Sequence, residues 1–223
     1  ISNPANPFYA GNYDTADFAH DVAVSGDYAY IADGDYGVVV VDVSNPTNPT
    51  YAGSYNTSGY AHGVVVTGDY AYIADNTRGL VIVDVSDPTD PTEVGSYNTD
   101  DRSYGVAVSG DYAYVTISNT GLVVVDVSDP ANPTEMGSYN TEGYTRGVAV
   151  SGDYVYIADG SKGLVVMNVS YLIDRTGTMV YAGGYDTPGY ANGVVVSGDY
   201  AYVADGGSGL VVVDVSDPAN PTM

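Results

Sequence analysis

The sequence predicts an all-β fold, namely a five-bladed β-propeller with four antiparallel strands in each blade. The segment Gly-Asp-Tyr-Ala-Tyr, or Gly-Asp-Tyr-Val-Tyr in the fourth copy, occurs five times at spacings of 42, 42, 42 and 46 residues. A period of about 40–45 residues that holds several short strands is typical of propeller blades. Short β-branched runs bounded by Gly and Pro fill the repeats, and no helical period is present. Residues 1–223 are therefore predicted to form one domain.

Each repeat is predicted to form four strands, as the second repeat illustrates. Its strand candidates, in order, are Gly63–Val66, Tyr70–Ala74, Gly79–Val85 and Thr92–Tyr97. The first two are separated by a Thr-Gly-Asp turn, and a proline-rich loop precedes the fourth. The third is apolar throughout apart from Asp84. A strand of this composition needs cover on both faces, so we expect neighbouring blades to pack against it.

The two ends of the chain predict how the ring closes. The chain opens with a proline-rich loop and a fourth-strand sequence, Phe8–Tyr13, whereas it ends just after the third strand of the last repeat, Gly209–Val215. We expect Phe8–Tyr13 to pair beside Gly209–Val215 and so complete the blade of residues 192–215. Such pairing would remove two exposed sheet edges.

The third strand and its following loop carry a family resemblance. The stretch Gly79-Leu-Val-Ile-Val-Asp-Val-Ser-Asp-Pro88 resembles the LVIVD repeat, and close copies occur at 121–130 and 209–218. The fourth repeat departs from the motif, with Met167-Asn168 in place of Val-Asp and Tyr171–Val180 in place of the Pro-x-x-Pro loop. The resemblance implies a propeller-forming family of bacterial and archaeal surface proteins, and hence an extracellular or cell-surface location. It implies little about activity.

Five copies in one chain separate framework positions from variable ones. The Gly-Asp turns between the first two strands are invariant, and Gly supplies the turn dihedrals there. Third strands carry a polar residue that must find a donor, which we expect in the adjoining loop. These polar residues are Asp42, Asp84, Asp126, Asn168 and Asp214. Both sets are interpreted as structural.

The variable positions are the candidates for function. Antiparallel pairing places them at one face of the disc, around the mouth of a central channel. They precede the first strand of each repeat or lie in the loop after the second strand. The candidate binding residues are Phe18, His20, Tyr60, His62, Arg78, Arg102, Tyr104, Tyr144, Arg146, Lys162, Tyr190 and Asn192.

The charges of the chain limit its partners. The 5 basic and 28 acidic side chains give a net charge of −23, which disfavours nucleic acid and anionic membranes as partners, and no apolar run is long enough for membrane insertion. Four of the basic residues are among the candidate binding residues, and only Arg175 is not. This placement indicates a recognition surface of mixed charge, although each base could instead neutralise a local Asp, as Arg146 could do beside Asp159.

The sequence favours a protein that is not an enzyme. It contains no cysteine, and its recurrent serines lie in turns away from both histidines. A hydrogen bond from His62 to Asp75 is plausible but is interpreted as structural. A glycoside hydrolase needs only two carboxyls, which Asp33, Asp75, Asp159, Asp205 and Glu142 could supply. However, four equivalent Asp residues resemble a repeated brace more than a catalytic pair with two different environments.

No metal or cofactor is implied by a complete motif. A ring of Asp carboxylates suits Ca²⁺, which remains open, but no local calcium-binding loop is present and Ile117 interrupts the ring. Two isolated histidines do not make a zinc site. We therefore expect a non-catalytic extracellular module that contacts protein through the variable face, or alternatively a lectin-like carbohydrate-binding propeller.

Overall fold

The computed structural model describes residues 5–170 and 179–223, and it shows an all-β protein of five separate antiparallel sheets. Each sheet corresponds to one repeat, and we call it a blade. The first two blades comprise β1 (Asp21–Ser25), β2 (Tyr28–Ala32), β3 (Val38–Asp42), β4 (Thr50–Tyr55), β5 (Gly63–Thr67), β6 (Tyr70–Ala74), β7 (Leu80–Asp84) and β8 (Thr92–Tyr97). The third and fourth comprise β9 (Ser103–Ser109), β10 (Tyr112–Ile117), β11 (Gly121–Asp126), β12 (Thr134–Tyr139), β13 (Val148–Ser151), β14 (Tyr154–Ala158), β15 (Leu164–Asn168) and β16 (Val180–Tyr185). The fifth comprises β17 (Gly193–Ser197), β18 (Tyr200–Ala204), a 3-10 turn (Gly206–Ser208) and β19 (Leu210–Asp214).

Strand order within every blade follows the chain, which confirms the predicted meander. The four strands predicted for the second repeat match β5 to β8 to within one or two residues at each end. The first four blades have four strands, whereas the fifth has three. Within the described residues, no helix is long and apolar enough to span a membrane.

The invariant loop residues have the structural roles predicted for them. Glycines of the turn between the first two strands, such as Gly26 and Gly68, have φ near +60°, where a side chain would be strained. The polar residue ending each third strand accepts a hydrogen bond from the backbone N–H of the serine two residues later. The distances are 2.8 Å for Ser44 to Asp42 and 3.0 Å for Ser170 to Asn168. This bond holds the chain as it leaves the blade, and it recurs in all five repeats.

The core consists of four clusters, each shared by two successive blades. Strand β7 shows how one strand serves two of them, because its side chains alternate between the sheet faces. Val81 and Val83 pack toward the first blade, while Leu80 and Ile82 pack toward the third. All four are fully buried, so each blade depends on a neighbour for cover.

The innermost strand of each blade is its first strand. Strands β1, β5, β9, β13 and β17 contact one another in that order, so the blades form an arc around a common centre. Within the described residues, no core cluster joins the fifth blade to the first.

The predicted pairing of Phe8–Tyr13 with the last strand is not present in the structure. Among the described residues, strand β19 pairs with β18 alone and forms one bridge, from Asp214 to Thr222. Phe8 is 79% exposed, and no strand is assigned to residues 8–13. The start of the N-terminal loop at residues 1–4 and the insertion at residues 171–178, which includes Arg175, lie outside the described residues.

Equivalent leucines in the fourth and fifth blades allow a test of whether the fifth blade lacks a covering neighbour. Leu164 of the fourth blade is fully buried, whereas its equivalent in the fifth blade, Leu210, is 67% exposed. Leu164→Ala should lower the free energy of unfolding by about 2–5 kcal/mol, because it leaves a cavity in the core. Leu210→Ala should cost less than about 1 kcal/mol at low protein concentration. Chemical denaturation of both variants tests this, and equal losses would contradict an open fifth blade.

Candidate functional site

The structure brings together the residues that enter the innermost strand of each blade. His20, His62, Tyr104, Arg146 and Asn192 line one cavity of about 460 Å³ at the centre of the arc. Their backbones are fixed by the start of the sheet: the N–H of His62 donates to the carbonyl of Ala74 at 2.8 Å, and equivalent bonds hold His20, Arg146 and Asn192. These five positions therefore lie around one cavity.

Aromatic and imidazole rings form a continuous ladder along this cavity. The ring centroids of His20 and His62 are 4.9 Å apart, and those of His62 and Tyr104 are 4.7 Å apart. Tyr60 packs against both histidines, and its hydroxyl lies 3.0 Å from Nε2 of His20. Tyr104 and Tyr144 continue the ladder, with hydroxyl oxygens 2.5 Å apart.

Arg146 lies at the far end of the ladder. The guanidinium carbon is 5.9, 5.5 and 5.9 Å from the ring centroids of Tyr104, Tyr144 and Tyr190. Cation–π attraction of this kind contributes about 0.5–2 kcal/mol per contact, depending on exposure. We call the set His20, Tyr60, His62, Tyr104, Tyr144, Arg146 and Tyr190 the inner cluster. The guanidinium of Arg146 thus packs among tyrosine rings. It does not pair with Asp159, which was the alternative considered from the sequence.

Burial of His62 governs its protonation. Desolvation lowers its pKa to about 4, and electrostatic repulsion from His20, Arg146 and Arg102 acts in the same direction. The ring is therefore neutral at pH 7 and can both donate and accept a hydrogen bond. The structure shows no hydrogen bond from His62 to Asp75, and Asp75 Oδ1 instead accepts from the Thr57 hydroxyl at 2.8 Å.

Five of the predicted binding residues do not join the inner cluster. Arg78 forms an ion pair with Glu93 at 2.8 Å, the only one among the described residues, and this pair points it toward the outer strand of its own blade. Lys162 lines a different cavity. Phe18 is 73% exposed, and Arg102 is exposed near Tyr104. The last of the predicted residues, Asn192, lines the cavity without a ring contact.

The carboxyls considered for catalysis are buried braces. Asp33, Asp75, Asp159 and Asp205 have no exposed surface, so none of them reaches the cavity wall. Asp205 accepts from the Thr187 hydroxyl at 2.6 Å and from the Gly189 N–H at 2.7 Å, and Asp33 accepts from the N–H of Asp17 at 3.3 Å. These bonds tie the segment entering a blade to the end of that blade's second strand. In the described part of the chain, no three His, Asp or Glu side chains converge as metal ligands.

Asp159 is the exception among these braces. Neither of its carboxylate oxygens has a hydrogen-bond partner, and the hydroxyl of Thr141 lies nearby without hydrogen-bonding geometry. Burial raises the pKa of Asp159 to about 6, and Thr141 and Lys162 offset this only in part. Gly143 packs directly on the carboxyl, where a side chain would collide with it.

A second cavity of about 490 Å³ lies between the third and fourth blades, and the sequence reasoning missed it. Its lining includes Tyr139, Glu142, Lys162, Tyr181 and Tyr185. Tyr139 and Tyr185 have equivalents in every repeat, so a search among the variable positions did not select them. Two lining residues that differ between repeats, Glu142 and Lys162, were noted in the sequence. Glu142 was considered as a catalytic carboxyl and Lys162 as a binding residue at the channel mouth.

Comparison with known families explains the repeat boundaries. The sequence profile described as "LVIVD repeat" matches residues 1–15, 18–57, 58–99, 102–141, 142–172 and 188–223. The chain belongs to the LVIVD repeat family. The LVIVD matches 18–57, 58–99 and 102–141 each contain the four strands of one blade, from innermost to outermost. The match at 188–223 contains only three strands, and the match at 1–15 contains a fourth-strand sequence.

Other comparisons bear on the fold alone. Comparison with curated protein sequences gives no significant match. Among solved structures, the LVIVD chain is similar to "Crystal structure of the computationally designed Ika8 protein: crystal packing No.1 in P63", with a TM-score of 0.67 and 8% sequence identity. The match covers 86% of this chain but 56% of that one, so this chain spans little more than half the length of the protein it resembles.

Protonation of Asp159 should make stability depend on pH. Because its folded pKa of about 6 exceeds the ordinary value of 3.8, the contribution of Asp159 to stability should fall as pH rises from about 4 to about 6. Asp159→Asn should remove this decline and raise the free energy of unfolding at pH 7.5 by about 1–2 kcal/mol. The matched change Asp205→Asn should instead destabilise the protein by about 1–3 kcal/mol, because two hydrogen bonds are weakened. Urea unfolding across this pH range measures both, and similar losses in the two variants would refute the assignment.

Titration of His62 should have the opposite sign. Its pKa is lowered from 6.5 to about 4, so protons bind the unfolded chain first and stability should fall as pH drops from about 6.5 to about 4. NMR titration of the His62 imidazole measures this directly. A midpoint at or above pH 6 would show that the ring is not desolvated by the inner cluster.

Proposed function

We propose that this chain is a non-catalytic interaction module that binds a protein partner through the inner cluster. The main support is that five equivalent positions of the repeats line one cavity but carry four different residue types. These positions are His20, His62, Tyr104, Arg146 and Asn192. Rigid aromatic rings and arginine are the residues that most often dominate protein–protein binding energy. A cavity with two histidine rings at one end and a guanidinium at the other presents an asymmetric surface, which suits one asymmetric partner.

The environment of the carboxyls supports a non-catalytic role. A glycoside hydrolase requires two carboxyls that reach the substrate on either side of the scissile bond. Asp33, Asp75, Asp159 and Asp205 are fully buried, and three of them accept hydrogen bonds that brace the blades. Of the five carboxyls considered for catalysis, only Glu142 lines one of the two cavities, so the recurrent Asp residues do not supply an acid–base pair there.

An extracellular or cell-surface location is the setting we propose. The resemblance of the repeats to surface proteins supports it, and so does the net charge of −23, which keeps the chain away from nucleic acids and anionic membranes. Neither a cofactor nor a bound cation is part of the proposed function.

Carbohydrate binding is the second candidate, and the cavity between the third and fourth blades favours it. Tyr139, Tyr181 and Tyr185 provide apolar ring faces with polar tips, while Glu142 and Lys162 provide hydrogen-bonding groups. The cavity has a volume of about 490 Å³, which is large enough for a small saccharide.

We further propose that the five sheets are blades of a β-propeller in which Phe8–Tyr13 serves as the fourth strand beside β19. The support is the missing fourth strand of the last blade and the fourth-strand sequence at the other end of the chain. A fourth strand at this position leaves no unpaired sheet edge on the last blade.

Two substitutions that each remove one positive charge distinguish the candidate functions. Arg146→Gln alters the inner cluster, whereas Lys162→Gln alters the cavity between blades. Binding of labelled protein to an array of extracellular protein domains and to a glycan array should be measured for both variants. The proposal predicts saturable binding to a protein, weakened at least tenfold by Arg146→Gln and little by Lys162→Gln, a loss typical of an interface hot spot. Saccharide binding lost only in Lys162→Gln would establish the second candidate instead.

A further inference from the structure

The two end blades expose the residues that internal blades bury. On the fifth blade, Val195 and Leu210 are 65% and 67% exposed, while Leu80, Leu122 and Leu164, the equivalents of Leu210, are fully buried. On the first blade, Val22 is 57% exposed, although its equivalents Val64 and Val194 are 4% and 8% exposed. Each end therefore displays one half of the interface that joins successive blades.

The N-terminal segment already lies in the position of a fourth strand. In the first, second and fourth blades, a glycine of the fourth strand packs on the carbonyl of a proline in the next blade's outer loop. Gly53 packs on Pro88 in this way, and Gly183 packs on Pro218. Gly11 makes the same contact with Pro46 of the first blade. Residues 8–13 therefore lie against the first blade as the fourth strand of an adjoining blade would.

Backbone groups at the two ends are complementary as well. Between internal blades, the residue two positions before the innermost strand pairs with the loop after the second strand of the preceding blade. Ala61 donates its N–H to the carbonyl of Gly34 at 3.0 Å, and Ala191 donates to Gly160 at 2.9 Å. The equivalent pair across the ends is Ala19 and Gly206. Within the described residues no bridge joins them, and Ala19 is exposed where Ala61 and Ala191 are fully buried.

We propose that a second copy of this chain occupies the open face of the fifth blade, head to tail, and supplies its own Phe8–Tyr13 as the fourth strand beside β19. The first blade's open face is the only described surface that carries the matching side chains, glycine contact and backbone donor together. Within the described residues of one chain, four core clusters join successive blades and none joins the fifth blade to the first, so both end faces are left for another copy. Contact between two different faces is a heterologous interface, which can extend an arc or close a larger ring.

The charge of the chain gives this association a salt dependence. Each copy carries −23, so two copies repel one another, while the faces that meet are apolar. Raising NaCl from about 0.15 M to about 1 M shortens the Debye length from about 8 Å to about 3 Å. Association should therefore strengthen with salt, in contrast to an interface held by ion pairs.

The inference rests on the proposed role of Phe8–Tyr13 as a fourth strand, and disulfide trapping tests it because the chain has no native cysteine. In the four complete blades, the first position of the third strand pairs with the last tyrosine of the fourth, as Leu80 does with Tyr97 and Leu164 with Tyr185. The same register places Leu210 opposite Tyr13. Singly substituted Tyr13→Cys and Leu210→Cys proteins, mixed at about 1 M NaCl under mild oxidation, should give a disulfide-linked heterodimer. A mixture of Tyr36→Cys, on an exposed loop, with Leu210→Cys is the control and should give at least tenfold less.

A doubly substituted Tyr13→Cys, Leu210→Cys protein distinguishes failure of the inference from failure of the proposed fourth strand. Covalent dimers and larger species support association between copies. A monomer with an internal disulfide, together with no heterodimer from the single variants, overturns it but retains Phe8–Tyr13 as a fourth strand. No disulfide in any variant contradicts both. Sedimentation of the unsubstituted chain tests association without introduced cysteines. Species larger than the monomer at high salt that disappear on deletion of residues 1–15 support the inference. A monomer at every protein concentration refutes it.

Discussion

Apolar third strands with two buried faces are the constraint on which this structure depends. A strand such as Leu80–Asp84 cannot present a polar face to water, because its successive side chains are all apolar until Asp84. Burying each Val or Leu contributes about 1.5–3 kcal/mol, but only when a blade stands on either side. Stability is therefore a property of neighbouring blades, and a single repeat could not hold its fold alone. Each of the four core clusters accordingly contains side chains from two successive blades.

The same constraint explains how much of the fold was readable from sequence. Repeat length, strand order and the bounds of β5 to β8 followed from composition and punctuation, because these are local properties. The hydrogen bond from Ser44 to Asp42 was also predictable, since a polar residue within an apolar strand must find a nearby donor. The position of the N-terminal segment relative to the last blade was not predictable from the sequence. Whether Phe8–Tyr13 reaches β19 depends on the small rotation between blades, summed over the arc, and no local pattern encodes that sum.

Prediction of the candidate site divided along similar lines. Comparison between repeats found the five positions around the inner cavity, because antiparallel register fixes which end of a strand they occupy. It could not foresee that Arg146 stacks on tyrosines while Arg78 turns outward to Glu93, since the two arginines occupy different loops and their rotamers are set by packing. It also missed the second cavity, whose walls include tyrosines repeated in every blade. Repetition identifies what a blade needs, but a needed residue can line a site as well.

Amide hydrogen exchange in the third strands measures the central claim most directly, namely that a blade without a neighbour is the weak point of the array. At low protein concentration and low salt, amides of β19 should exchange much faster than those of β11 and β15, because β19 lacks a fourth strand and a covering blade. Protection in β19 should then rise with protein concentration and salt, as its open face becomes covered. Uniform protection of all five third strands in the dilute monomer would contradict the account, because it would show that the fifth blade is already complete within one chain.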